Sequence, residues 1–330
     1  MDFYGTLGPS CCLHPVLVRM YEAGMTGVRL NLSHGMLKER ANWLYVAVSA
    51  AKSVGVETKI LIDLQGPELR VGNFGGERKL KKDTDVIFGQ RGIPVPSILM
   101  AQVKKGMRLL LDDGKMEAEV LECSGNQMVA KVLRGGVLKP RKSIAVPGKI
   151  IETPTLTSQD LENLKIARHY GVTGVMLPFV RSEEDLKCLR RALEENHGED
   201  IKIFAKIENM QGVESLAAFM PLADEIVIAR GDLGNAVPLW ELPAVQKHIG
   251  EQCRRAGKPF MVVTQMLDSM EHRPVPTRAE VSDIYNAALE GASSLMLTGE
   301  TAVGEYPAEA MFYLVQTAKN CLEKSFIGKN

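Results

Sequence analysis

The chain has 330 residues, 40 Lys and Arg against 40 Asp and Glu, and six cysteines. That length suits two domains, or one large α/β barrel with an insertion, and a 45% hydrophobic content excludes a disordered chain. A formal net charge of zero argues against a general nucleic-acid or anionic-membrane binder but leaves room for a local basic pocket for a phosphorylated small molecule. Cys11, Cys12, Cys123, Cys188, Cys253 and Cys321 are dispersed, with no CxxC pair and no dense Cys/His cluster. Neither structural zinc nor a disulfide framework is expected, and the pattern fits a reduced, cytoplasmic compartment. The first residues, MDFYGTLGPSCC, lack the basic-then-apolar order of a signal peptide. No window approaches the roughly eighteen apolar residues of a membrane span.

In chain order, eight short apolar runs read as strands: Tyr4–Leu7, Gly27–Leu32, Thr58–Leu64, Gly174–Val180, Ile201–Glu208, Glu225–Arg230, Phe260–Gln265 and Ser293–Gly299. Several are nearly continuous in Val, Ile, Leu and Met, as parallel strands covered on both faces should be. Helical patterns lie between them. Thr157-x-x-Asp160 reads as a capping box before Leu161, Leu164 and Ala167, with Gly171 as the stop. Ser182-Glu183-Glu184-Asp185 opens the helix carrying Leu186, Leu189 and Leu193. Eight βα units predict a (β/α)8 TIM barrel over 1–70 and 148–330. Periodicity does not give strand order, so an open doubly wound sheet is the structural rival.

Between about Val71 and Pro147 the helical period gives way to alternating segments: Thr84–Phe88, Arg108–Leu111, Glu117–Leu121, Met128–Leu133 and Ser143–Val146. Turn pairs separate them, among them Gly75-Gly76, Asp113-Gly114, Gly125-Asn126 and Gly135-Gly136. This predicts a small antiparallel β-barrel domain, 71–147, inserted after the third barrel strand. Loops at the C-terminal ends of strands tolerate such insertions, and a domain there suits a lid that excludes water better than a decoration.

In a barrel of this kind a polar residue at the C-terminal end of a strand faces the active site. Alternation places Arg29, Asn31 and Ser33 on one side, an anion contact followed by oxygen ligands. The third strand ends in Asp63, with Glu68 and Arg70 around a Gly-Pro turn. Lys206 and Glu208 are two apart and share a side, and Glu208 and Asp232 come from neighbouring strands. Two hard carboxylates suit magnesium or manganese, and an ammonium beside such an ion suits a phosphoryl group or an enolate. The glycines around Asp232 allow close backbone approach to an anion. The last two strands end at Thr264-Gln265 and Thr298-Gly299-Glu300-Thr301. Singly, the Lys–Glu pair reads as a structural ion pair, GDLG as a turn and Thr264 as a helix cap; their placement on one rim favours a site. His169, His197, His248 and His272 sit in helical or loop contexts as surface residues, and only His34 lies near the rim.

The segments TLGPS (6–10), GVRLNLSHG (27–35), DLQGPELR (63–70), LLDDG (110–114), AKIENMQG (205–212), IARGDLG (228–234), GKPFMVVTQMLDSM (257–270), PTRAEVSD (276–283) and LTGETAVGEYPAEA (297–310), in this order, resemble the pyruvate kinase family up to about Glu323. The resemblance implies phosphoryl transfer from phosphoenolpyruvate to ADP, giving pyruvate and ATP. It implies that Lys206 steadies the transferring phosphoryl group and the enolate, and that Glu208 and Asp232 hold Mg2+ or Mn2+. The backbone amides of Gly231 and Asp232, with Thr264, would receive the substrate carboxylate, and Arg29 would contact the phosphoryl group. Asn31, Ser33, Asp63 and the carbonyl of Leu64 would hold K+, and Glu68 is the residue type of potassium-dependent members. His34, Arg70 and Lys142 would serve the nucleotide phosphates, Asp113 would lie on the lid, and Thr264 or an adjacent water would carry the proton.

The sequence also departs from the family pattern. The family's usual C-terminal domain has no counterpart in these residues, so sugar-phosphate control through it is not expected, while a barrel-mediated homodimer stays available. Leu64-Gln65, Pro178, Thr298, Val303 and Glu39 replace the residues usual at their positions. These losses fall on the nucleotide side more than on the metal–enolate core. Two further readings therefore stand beside the kinase: nucleotide-independent, lyase-like enolate chemistry on pyruvate or oxaloacetate, and a phosphoenolpyruvate-binding paralogue without turnover.

Overall fold

The computed structural model describes every residue except Glu68, Asp113, 148–150, Glu152 and 325–330, together with the side chains of His34 and Lys324. Two compact units divide the chain: residues 1–66 with 155–330, and residues 67–154.

The larger unit is a closed barrel of eight parallel strands: Asp2–Thr6, Gly27–Asn31, Lys59–Asp63, Gly174–Leu177, Lys202–Ile207, Glu225–Ala229, Phe260–Val263 and Ser294–Leu297. They are called the first to eighth strands below. The first pairs with both the second and the eighth, with Asp2 opposite Ser294 and Gly5 opposite Leu297, so the doubly wound rival is excluded. Helices follow the strands with the expected starts: Thr157 accepts from Asp160 N (3.1 Å) while Asp160 accepts from Thr157 N (2.9 Å). Gly171, at φ +69°, closes the turn after that helix. No helix among the described residues is long and apolar enough to cross a membrane.

Strand alternation sorts the side chains into two clusters. Val28, Leu30, Ile60, Ile62, Ile203, Ala205, Ile226 and Ile228 belong to the large cluster shared with the helices. Tyr4, Leu61, Met176, Phe204, Val227, Met261 and Met296 form a separate buried cluster inside the barrel. Removing one such ring, as in Phe204→Ala, costs about 3–5 kcal/mol, because a closed barrel interior cannot collapse onto the void. One strand pleat above this plug, the same parity delivers Thr6, Arg29, Asp63 and Lys206 to the C-terminal mouth.

Several strands stop short of their expected ends, and the side-chain parity there changes. The second strand ends at Asn31 rather than Leu32, because residues 32–34 turn into a 3-10 helix capped by Asn31 Oδ1, which accepts from Ser33 N (3.0 Å). Ser33 therefore does not continue the alternation of Arg29 and Asn31. The fourth strand ends at Leu177, ahead of Pro178, and the seventh at Val263.

The smaller unit carries a five-stranded antiparallel sheet from Asp85–Gly89, Arg108–Leu111, Met116–Ser124, Gln127–Arg134 and Ile144–Ala145, and a two-stranded one from Arg78–Leu80 and Gly136–Leu138. Gly125-Asn126 joins the two longest strands. Phe88, Leu109, Leu111, Met128 and Ala130 are central to its own hydrophobic core. The short helix Ser97–Gln102 behind Pro96 carries no helical period long enough to be read from sequence.

Candidate active site

Four charged side chains converge at the C-terminal mouth. Arg29 Nε donates to Asp63 Oδ2 at 3.0 Å, and its Nη1 donates to Thr6 Oγ1 at 3.1 Å. Lys206 Nζ lies 3.2 Å from both Asp63 oxygens and 2.9 Å from Glu208 Oε1. The Asp63 and Glu208 side chains are 3% and 2% exposed, and those of Lys206 and Arg29 are 13% and 11% exposed. Glu208 lies one residue past the fifth strand, and its Oε2 accepts from Phe179 N (2.8 Å).

The electrostatics of this cluster are uneven. Burial works against the Asp63 carboxylate, but Lys206 and Arg29 outweigh it and hold its pKa low. Burial also works against the Lys206 ammonium, yet Asp63 and Glu208 keep it charged and raise its pKa. Burial pushes the Glu208 carboxyl up to about 7; Lys206 pulls it down, and the charges of Asp232 and Asp63 push it up again. A buried carboxylate pushed up by a neighbouring carboxylate offers, with that neighbour, an oxygen pair that a divalent cation would neutralise.

Asp232 sits in the short helix Arg230–Ala236, which follows the sixth strand directly. A Cβ added at Gly231 would come within 3.2 Å of Thr264 Cγ2, so the backbone at Gly231 lies against that side chain. Thr264 is not a helix cap. It leaves the seventh strand at φ +80°, and Gln265 follows at +53°. Phe179, whose N–H holds Glu208, stands at +54°. A left-handed conformation at a non-glycine residue costs about 1–3 kcal/mol, so three such residues at strand exits mark tertiary tethers.

The oxygen set assigned to a monovalent cation lies at the ends of the second and third strands (Asn31, Asp63) and just beyond them (Ser33, Leu64). The donor types (an amide oxygen, a hydroxyl, a carboxylate and a main-chain carbonyl) are the hard ligands that potassium accepts. One helix, Ser158–Ala167, ties down the loops that follow both strands. Asp160 accepts from Gln65 N (2.9 Å) and Gly66 N (3.1 Å), Gln159 Nε2 donates to Leu32 O (3.2 Å), and Asn163 Oδ1 accepts from Leu37 N (2.9 Å). Gly66 is at φ +61°, and a Cβ there would come within 2.3 Å of Pro178 Cγ, so Pro178 seals this turn. Among the described residues no three His, Cys, Asp or Glu side chains gather as a ready-made metal cluster. A divalent ion on Glu208 and Asp232 would take its other ligands from substrate and water.

The remaining candidates are held elsewhere. Arg70 Nη1 donates to Arg141 O (2.9 Å), and Lys142 Nζ pairs with Asp112 Oδ1 (2.8 Å), both inside the smaller unit. The His34 side chain, Glu68 and Asp113 lie outside the described residues. Glu39 Oε2 is engaged locally, accepting from Met36 N, and Val303 is 60% exposed. Sequence reasoning missed Thr6, the Phe179 amide, Arg230 and Asp160. Only Asp160 carried a signal, its capping box, and that signal concerned the helix and not the loop it tethers.

A family model described as "Pyruvate kinase, barrel domain" matches residues 2–311. A pyruvate kinase of Geobacillus stearothermophilus is 38% identical over 325 residues, covering 95% of this chain and 55% of that relative. One of Aeropyrum pernix is 36% identical over 321 residues, with 97% and 70% covered. One of Corynebacterium glutamicum is 38% identical over 313 residues, with 92% and 65% covered. The chain thus spans from about half to about two thirds of the length of these relatives.

Proposed function

The chain belongs to the pyruvate kinase family, and from that premise we propose that it transfers a phosphoryl group from phosphoenolpyruvate to ADP, giving pyruvate and ATP, with Mg2+ or Mn2+ and K+ as cofactors. The observation that carries the reading is Lys206, a buried ammonium held between Asp63 and Glu208 above a sealed apolar plug. Such a cation is aimed before substrate arrives and needs no reorganisation as negative charge moves, which is where electrostatic catalysis gains most.

Glu208 and Asp232 would hold the divalent ion, which when bound supplies charge neutralisation between the substrate oxygens. Gly231 and Asp232 amides, with Thr264, bind the carboxylate. Arg29, anchored by Asp63 and Thr6, reaches the phosphoryl group. Asn31, Ser33, Asp63 and the Leu64 carbonyl hold K+ where the second and third strands pass into loops that Asp160 and Gln159 restrain. The P–O bond to the enol oxygen breaks as an ADP oxygen bonds to phosphorus. Lys206 stays on the enolate left behind, and a proton delivered to its methylene carbon beside Thr264 completes pyruvate. Arg70, Lys142 and His34 are assigned to the nucleotide, and the smaller unit to a lid with Asp113, by family resemblance. A cytoplasmic location and a barrel-mediated homodimer belong to the same reading.

A coupled assay with phosphoenolpyruvate, ADP, Mg2+ and K+ tests the proposal. Turnover that needs both cations supports it, and no ATP under any cation pairing overturns it. The engaged Glu39 and exposed Val303 favour enolate chemistry as the second reading; solvent-proton exchange of pyruvate without nucleotide, in a protein that makes no ATP, would establish it.

A further inference from the structure

Thr264 and Gln265 form two consecutive left-handed residues, at φ +80° and +53°, and neither is glycine. A β-branched residue does not hold that conformation by its own preference. One side chain grips the turn. Arg230 Nε and Nη2 both donate to Thr264 O, at 3.1 and 2.8 Å, and Nη2 also reaches Gln265 O at 3.3 Å. The other arm, Nη1, spans both oxygens of Asp283 at 2.9 and 2.7 Å, from the helix Arg278–Leu289. The Arg230 side chain is 11% exposed, so most of it is covered by protein. On the opposite side the Gly231 backbone lies against the Thr264 side chain, where no larger residue fits without displacement.

We propose that Arg230, anchored by Asp283, is the positioning residue that holds Thr264 in its left-handed turn and so sets where the Thr264 hydroxyl meets the substrate. The inference rests on the reading of Thr264 as a substrate contact. Arg230 itself touches no reacting atom. It acts through two backbone carbonyls, and Asp283 acts through Arg230. Released from the clasp, the turn would relax toward negative φ and swing the hydroxyl away from the backbone of Gly231. Gln265 is exposed, so its side chain contributes no packing that the turn depends on. A glycine at 265 would accept positive φ without strain and make the clasp less necessary.

Asp283→Asn keeps the shape but removes the charge that orients the fork. Turnover and the exchange of pyruvate methyl protons with solvent are both expected to fall about tenfold, and the KM for phosphoenolpyruvate is expected to rise, because Thr264 is assigned to the substrate carboxylate. Adding Gln265→Gly is expected to restore most of the lost exchange. A general loosening of the fold would lower the melting temperature and would not be rescued at position 265. Unchanged exchange in Asp283→Asn, or a folded double variant with no rescue, overturns the proposal. If Asp283→Asn does not fold, Arg230→Lys carries the same comparison, since lysine keeps the charge and loses the fork. A crystal structure of the single variant gives a reading independent of activity. Thr264 is expected at negative φ there; a residue still near +80° without the clasp overturns the inference even if the wild-type protein proves to have neither reaction.

Discussion

The two mouths of the barrel are built from the same alternating strands and differ in how their polar residues are settled. At the N-terminal mouth, Asp2 pairs with Lys59 (2.6 Å) and Ser294 donates to the buried Glu225 carboxyl. The backbone there is regular strand, and burial, with the nearby charge of Asp2, pushes Glu225 up to about 7. At the C-terminal mouth, Arg29 and Lys206 stay charged against Asp63, Glu208 sits beside Asp232, and three non-glycine residues leave their strands left-handed. The N-terminal mouth settles Glu225 on a neutral hydroxyl and pairs Asp2 with Lys59 near solvent; the C-terminal mouth gathers cations and carboxylates in one buried cluster beside left-handed backbone. Left-handed residues directly at strand exits and a carboxylate raised by a neighbouring carboxylate, more than the presence of polar residues, therefore set the C-terminal mouth apart.

The sharpest way to break this contrast is at the buried carboxylate–cation cluster of the C-terminal mouth. Glu208→Gln removes half of the proposed divalent pair while keeping the hydrogen-bonding shape. Turnover is expected to drop by about a hundredfold or more, with weaker Mg2+ binding by calorimetry. An unchanged Mg2+ affinity would move the divalent site elsewhere.

Glu225 gives the next largest effect, on stability and not on chemistry. Its folded pKa of about 7 lies above the ordinary glutamate value of 4.5. Between these values the unfolded chain has lost the proton that the folded chain keeps, so stability falls as pH rises through this window and the loss is complete above about 7. Glu225→Gln is expected to raise unfolding stability at pH 8 by about 2 kcal/mol, to change little at pH 4, and to leave turnover intact. Urea melts at the two pH values check the sign. The smallest effect belongs to the exposed Asp2–Lys59 pair, where Lys59→Met should shift stability by no more than about 1 kcal/mol in the same melts.

Much of the barrel was legible in the sequence because buried parallel strands are nearly continuous in apolar residues, and Lys206 and Glu208 were legible because they share a parity at a strand end. Strand exits were not. Phe179 and Val180, and Thr264 after Val263, continue the apolar or β-branched pattern, so periodicity extends the strands, whereas Pro178 and the distant Arg230 turn the chain. The tie from Arg230 to Asp283 crosses 53 residues of sequence and leaves no local trace. Ser33 was misplaced for a local reason: the Asn31 side chain captures its N–H and ends the pleat. Asp63 was read as a cation ligand, and the structure adds that two cationic side chains already hold it.

The most direct measurement is ATP formation from phosphoenolpyruvate and ADP by Lys206→Met beside the wild-type protein, in saturating Mg2+ and K+. Turnover about a thousandfold lower in a variant that melts cooperatively is the predicted result, as removal of a buried, preaimed cation should produce. A Lys206→Met protein that turns over like wild type would contradict the assignment of the chemistry to this mouth of the barrel.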